Sequence, residues 1–102
     1  MHYSAETRLT VGEVMERAVE YFGQDGSSGL TITERGPYRI VFAGGGGYVI
    51  ATAQRAPSGS RIDLEVHEFD REAQAFLGML PKPEGWLRHT FGRRLGTDSD
   101  QR

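Results

Sequence analysis

The sequence predicts a single α+β domain, an antiparallel sheet of about five strands with helices packed on one of its faces. Three observations predict this class. Apolar and polar residues alternate with the period of a half-buried strand in segments at residues 2–9, 30–34, 38–43, 48–55 and 61–67. Apolar residues at helical spacing follow the first and the last of these segments. Because short turns join the later strands, we predict an antiparallel meander and the element order β-α-β-β-β-β-α.

The first helix follows the first strand through a capping box. Thr10 and Glu13 have the spacing at which the threonine hydroxyl accepts a hydrogen bond from the Glu13 amide, while the glutamate side chain accepts one from the Thr10 amide. The helix that begins here has one apolar face, formed by Val11, Val14, Met15, Ala18 and Phe22. It ends near Gly23, and residues 24–29 have the composition of a surface loop.

A second helix follows the last strand and ends at two prolines. Its predicted N-cap is Asp70, because a short carboxylate side chain can accept from the first free amides of a helix. Its apolar residues at helical spacing are Phe69, Ala73, Phe76, Leu77 and Leu80. Pro81 and Pro83 end the helix, because proline lacks the amide hydrogen and clashes with the preceding turn.

The two prolines also divide the chain into two parts. Residues 1–82 form the α+β domain, and residues 83–102 form a C-terminal extension. A short third helix in the extension is predicted by apolar residues on one side, Trp86, Leu87, Phe91 and Leu95. Residues 96–102 are polar, which predicts a frayed end.

The strands at residues 38–54 flank four consecutive glycines, residues 44–47, and form the central hairpin of the sheet. The number of residues in the turn decides which side chains share a face. An even loop pairs Phe42 with Val49, whereas an odd loop pairs Phe42 with Tyr48. We predict the odd register, and hence a three- or five-residue loop, because it collects the large side chains on the face that the helices cover.

The odd register assigns a different role to each face of the hairpin. The large side chains, with two aromatic residues that can cover them, form the predicted binding site for an apolar small molecule: Tyr38, Phe42, Tyr48, Ile50, Phe76 and Trp86. A protein partner is the alternative occupant. The opposite face carries small apolar side chains and is the predicted interface of a homodimer: Val41, Ala43, Val49 and Ala51.

The composition bounds the classes of site and partner. Twelve basic and 14 acidic residues give a formal net charge of -2, so no overall field attracts nucleic acid to the chain. The absence of cysteine excludes disulfides and thiolate metal sites. We find no signal peptide and no window that approaches the ~18 apolar residues of a membrane span. A cytoplasmic protein of bacterial type is therefore the simplest expectation.

No motif in the chain carries catalytic, metal-binding or cofactor-binding chemistry by itself. The glycine run lacks the lysine and hydroxyl of a phosphate-binding loop, which favours a hairpin tip. Glu65 and His67 share a strand face beside Glu68, but two ligands are too few for a metal site, and a solvated strand face is favoured. We expect no cofactor and a non-enzymatic protein.

The order of elements resembles the helix-grip fold of START-like lipid-binding and polyketide-cyclase-like proteins, over about residues 3–80. It is also similar to one repeat of the TATA-box binding protein. The resemblance is one of topology. In the helix-grip family the sheet curls round a long C-terminal helix and encloses a cavity for an apolar ligand, and the resemblance implies such a cavity here.

Three functional hypotheses follow from these predictions. The leading one is a small non-enzymatic domain that forms a homodimer and holds an apolar small molecule, or a protein, between sheet and helices. The second is a nucleic-acid or membrane-surface accessory that acts through the aromatic and basic residues 86–94. The third is a cyclase- or isomerase-like enzyme that uses Tyr38, Tyr48 or His67 in a pocket.

Overall fold

The computed structural model describes residues 1–83, except residues 25 and 27. The chain forms, in order, β1 (His2–Thr7), α1 (Val11–Phe22), β2 (Thr31–Arg35), β3 (Arg39–Gly44), β4 (Gly47–Ala56), β5 (Gly59–His67) and α2 (Asp70–Met79). This confirms the predicted α+β class and the predicted order of elements. The third helix predicted after the prolines and the end predicted to fray lie outside the described residues.

The strands of the described chain form one antiparallel sheet with the order β1-β5-β4-β3-β2. β2 to β5 make the predicted meander, and β1 pairs with β5 at one edge. α1 therefore carries the chain from one edge of the sheet to the other. The register shifts between Ile32 and Glu34 in the β2 edge strand. A bulge of this kind blunts an edge against pairing with other chains.

The core lies between the two helices and one face of the sheet. Phe22 of α1 lies 5.6 Å from Phe42 of β3 and 5.2 Å from Phe76 of α2, measured between ring centroids. Each of these three side chains is at most 2% exposed. Aromatic rings at such separations attract one another in addition to their burial. The cluster therefore joins both helices to the sheet.

The capping box at the start of α1 is present as predicted. The Glu13 amide donates to Thr10 Oγ1 at 3.1 Å, and the Thr10 amide donates to Glu13 Oε1 at 2.9 Å. The buried residues of α1 are Val14, Met15, Ala18 and Phe22. Val11, the fifth residue predicted for the apolar face, is partly buried against the same core.

The N-cap of α2 is Phe69 and not the predicted Asp70, which is instead the first residue of the helix. The Phe69 side chain makes no capping hydrogen bond, and the preceding residue, Glu68, has a positive φ of 77°. The Phe69 ring reaches the hairpin tip, where its Cζ atom lies 3.6 Å from the position of a Cβ built on Gly45. The Phe69 ring therefore lies against the hairpin tip at the point where the helix begins.

The predicted odd register of the β3–β4 hairpin is wrong. Gly44 pairs with Gly47, so the turn contains only Gly45 and Gly46, with φ angles of 58° and 86°. Two consecutive positive φ angles characterise the type I′ turn, whose twist matches that of the flanking strands. Two glycines of the run provide the positive φ angles that this turn requires. The loop therefore has two residues, and the register is even.

In the even register, the buried face of the hairpin carries small as well as large side chains. Ile40 and Phe42 of β3 face the helices together with three smaller residues of β4, which are Val49, Ala51 and Ala53. α1 lies across β4. The small side chains on that strand leave space for the large residues of the helix, such as Phe22.

Candidate functional site

The even register separates the residues predicted to bind an apolar small molecule. Phe42 and Phe76 lie in the core, 0% and 2% exposed. Tyr48 and Ile50 lie on the opposite face of the sheet, and Tyr38, just before β3, is 57% exposed. The prediction that these residues share one aromatic face is wrong, because it depended on an odd loop.

The residues predicted to form a dimer interface also divide between the two faces. Val49 and Ala51 are 0% exposed beneath the helices. Val41 and Ala43 are partly exposed on the other face of the sheet. The predicted set is therefore wrong as a single surface, again because the loop is even.

We call the sheet surface that faces away from both helices the open face. Its residues alternate along each strand with the buried ones, as the strand period requires. The central rows of this face consist of Tyr48, Ile50 and Thr52 of β4, Arg39, Val41 and Ala43 of β3, Asp63, Glu65 and His67 of β5, His2 and Ser4 of β1, and Glu34 of β2.

An apolar strip, formed by Val41, Ala43, Tyr48 and Ile50, runs through the centre of the open face. Val41 pairs with Ile50 and Ala43 with Tyr48, and each is partly exposed. The Tyr48 ring stacks on the imidazole of His67, with centroids 5.6 Å apart and planes 19° from parallel. Since the uncovered face of an antiparallel sheet is usually polar, the apolar strip distinguishes this surface.

Charged side chains surround the apolar strip. On the β2–β3 side, Arg39 forms an ion pair with Glu34. On the β5–β1 side, Asp63 Oδ1 lies 3.4 Å from Arg61 Nε and 3.8 Å from His2 Nε2. Ion pairs on an exposed surface contribute about 0–1 kcal/mol each, because water screens the charges. A partner can therefore replace these pairs with pairs of its own.

The strand period correctly predicted that Glu65 and His67 share a face. They lie opposite Ile50 and Tyr48 on the open face. Among the described residues, no group of three or more histidines and carboxylates is placed to hold a metal ion. No helix in this part of the chain is long and apolar enough to cross a membrane.

The residues named for the enzyme hypothesis do not meet in one pocket. Tyr38 lines an open depression with Thr10 and Arg55, near the turn between β4 and β5. Tyr48 and His67 stack on each other on the open face. Tyr38 is therefore placed apart from the stacked pair.

A groove between the two helices was not predicted. It has a volume of about 240 Å³, opens to solvent and is lined by Arg17, Glu20, Tyr21, Phe76, Met79 and Leu80. Met79 is 58% exposed at its mouth. The sequence signals this groove only weakly, because Tyr21 lies outside the predicted apolar face of α1 and Met79 outside that of α2.

Two predictions concern residues that the structure does not describe. Trp86, named for the ligand site, lies beyond residue 83, as does the whole of the basic and aromatic surface predicted at residues 86–94. The nucleic-acid or membrane-surface hypothesis rests on that surface and stays a prediction.

Comparison of the chain with protein-family models, with curated proteins and with solved structures gave no match. The resemblance to the helix-grip fold therefore stays a prediction.

Proposed function

We propose that this chain is a small non-enzymatic interaction domain, acting in the cytoplasm, that binds a protein partner through the open face. The observation that carries the proposal is the apolar strip of Val41, Ala43, Tyr48 and Ile50, which neither helix covers. Contiguous exposed apolar residues surrounded by polar ones mark protein-binding surfaces in soluble proteins. A central aromatic residue such as Tyr48 is the kind of side chain that contributes most to such interfaces.

Packing of the core favours the open face over the space between sheet and helices as the binding surface. Phe22, Phe42 and Phe76 occupy that space, and ring contacts of 5.2 to 5.6 Å join Phe22 to the other two. A ligand there would have to displace these side chains, whereas the apolar strip is already accessible. The absence of a shared pocket for Tyr38 and the Tyr48–His67 pair likewise favours binding over catalysis.

Site-specific photo-cross-linking in cells that express the chain tests this proposal. A photoreactive benzoylphenylalanine replaces Ile50 on the open face or, as the control, Glu16 on the exposed side of α1. We expect one discrete cross-linked product from position 50 and none from position 16. Adding Val41→Asp, which places a charge in the apolar strip, should remove the product while circular dichroism shows the fold intact. Equal cross-linking from both positions, or none from position 50, would refute the proposal.

The groove between α1 and α2 supports a second candidate, the binding of an apolar small molecule. Tyr21, Phe76 and Met79 provide apolar walls, and Arg17 lies among the lining residues, where it can pair with an anionic group. The fluorescent probe 8-anilinonaphthalene-1-sulfonate has this chemistry. We expect Met79→Glu to abolish its fluorescence gain, whereas Gln74→Glu, which adds the same charge elsewhere on α2, leaves it. Equal fluorescence gain in both variants would exclude the groove.

A further inference from the structure

Charges of opposite sign lie on the two sides of β4 on the open face. β3 and β5 flank β4, with β2 and β1 beyond them. In one row across the sheet, Arg39 on β3 and Asp63 on β5 are the two neighbours of the same β4 residue. In the next row, Glu34 on β2 and His2 on β1 are the second neighbours of Ile50, and His2 is positive when protonated. The surface is therefore complementary to itself when its two sides are exchanged.

We infer that the partner of the open face is a second copy of this chain, related by a two-fold axis that runs along β4; this inference rests on the proposed function. Such an axis places the β3 side of one copy on the β5 side of the other. Arg39 of each copy then faces Asp63 of the other, and Glu34 faces His2. The part of the apolar strip on β4 faces the same residues of the second copy. This exchange of sides gives an isologous interface, the commonest kind in homodimers.

Two other positions of the axis bring like charges together. An axis perpendicular to the strands, along the row of Ile50, sets Glu65 on Glu65 and Glu34 on Glu34. An axis moved half a strand spacing toward β3 sets Glu34 on Glu65. With the axis on β4, Glu65 faces Val41 and lies one row from Arg39 of the second copy. That guanidinium then lies near two carboxylates of β5, which adds to the attraction.

The size of the open face indicates how tightly the two copies bind. Five strands, each ~4.8 Å wide, and the three rows of Tyr48, Ile50 and Thr52, each ~6.8 Å deep, make a patch of roughly 500 Å² in projection. A standard interface buries about 800 Å² per partner. We therefore expect a weak dimer with a dissociation constant in the micromolar range or above. Because charged pairs contribute to its binding, the dissociation constant should rise with salt concentration.

Sedimentation equilibrium over a wide concentration range, at low salt, tests the two-fold arrangement through a charge exchange between subunits. Arg39→Asp alone sets two carboxylates against each other at both symmetric positions, and Asp63→Arg alone sets two guanidinium groups against each other. We expect each variant to dimerise about tenfold more weakly than the native chain. An equimolar mixture of the two variants restores both attractive pairs in the heterodimer. We expect the mixture to associate as the native chain does, and Glu16→Arg on the exposed side of α1 to have no effect.

The outcomes separate this inference from the proposed function. A chain that stays monomeric at millimolar concentration, while position 50 still cross-links to a protein of another mass, refutes the second copy and leaves the proposed function standing. A dimer that is unaffected by either charge variant, or a mixture no stronger than its components, refutes the axis along β4. A cross-linked product of twice the chain mass from position 50 supports the inference.

Discussion

Phe42 lies directly opposite Val49 across the β3–β4 hairpin, and only Gly45 and Gly46 form the turn between the strands. Gly45 has a φ of 58°, in the left-handed region that asparagine tolerates and β-branched residues avoid. We expect Gly45→Asn to keep or slightly raise the free energy of unfolding, and Gly45→Val to lower it by about 1–2 kcal/mol. A Cβ at this position makes only an ordinary contact of 3.6 Å with Phe69. Urea unfolding checks the pair, and equal stability of both variants would contradict the turn.

The two faces of the hairpin should respond very differently to truncation. Phe42 is 0% exposed and in ring contact with Phe22, whereas Tyr48 on the open face is partly exposed. We expect Phe42→Ala to cost about 3–5 kcal/mol, through lost burial and an unfilled cavity. Tyr48→Ala should cost less than about 1 kcal/mol, since it leaves the core intact. Denaturant melts of both variants at low protein concentration measure the difference, and losses of similar size would support the odd register instead.

Gly47 provides a close approach between the hairpin and the turn before α2. A Cβ at this residue would overlap the carbonyl oxygen of His67 and lie 2.9 Å from the Phe69 ring. We expect Gly47→Ala to destabilise the fold by about 1–3 kcal/mol, because the backbone of β5 must move. Gly12→Ala is the matched control, since nothing lies within 4 Å of a Cβ there. In α1 that change should stabilise by about 0.5–1 kcal/mol, and thermal melts that show the same sign for both would contradict this account.

The elements of this fold are predictable from the sequence because their signals are local. Strand alternation, helical spacing and the Thr10–Glu13 capping box each depend on residues within one or two turns of chain, and the structure reproduces them. The hairpin register is different. A run of four glycines permits several loop lengths, and the choice depends on strand twist and on side chains far along the chain, such as Phe69.

The candidate site shows the same division between local and distant information. The sequence of β4 already shows which residues share the open face, because Tyr48 and Ile50 alternate with the smaller Val49 and Ala51. The odd register predicts that the larger residues of β4 are buried. In the structure the smaller residues are buried instead, and they leave space for α1. The groove residue Met79 was missed because its exposure depends on how the helices pack on each other, which no spacing along the chain records.

The capping box should contribute measurably to the stability of the whole domain. The Thr10 hydroxyl accepts from the Glu13 amide at 3.1 Å, and α1 connects the two edges of the sheet. We expect Thr10→Ala to cost about 1 kcal/mol, because an amide of the first turn loses its acceptor. Thr10→Ser keeps the acceptor and serves as the control. Urea unfolding followed by far-ultraviolet circular dichroism distinguishes them, and identical midpoints for both variants would contradict the role of the cap.

The hydroxyl of Thr7 links the end of β1 to Pro81, two residues beyond the end of α2. Thr7 is 0% exposed, and its Oγ1 donates to the Pro81 carbonyl at 2.6 Å and accepts from the Leu9 amide at 3.3 Å. Thr7→Val has nearly the same shape but removes the donor and the acceptor. The partly buried Leu9 amide then loses this partner, and the Pro81 carbonyl keeps the Arg8 amide as a donor at 3.4 Å. We expect a loss of about 1–3 kcal/mol.

Amide hydrogen exchange measured residue by residue distinguishes the local loss of this hydrogen bond from a general loss of stability. Amide hydrogen exchange in α2 of the Thr7→Val variant should accelerate more than exchange in β4, because the last turn of the helix is released first. Thr52→Val, which removes an exposed hydroxyl on the open face, should change neither the unfolding midpoint nor the exchange of α2. If exchange rises equally in α2 and β4, the hydroxyl supports the whole fold and does not hold the helix end. Unchanged exchange and an unchanged midpoint in Thr7→Val would mean that the Pro81 carbonyl is satisfied without it.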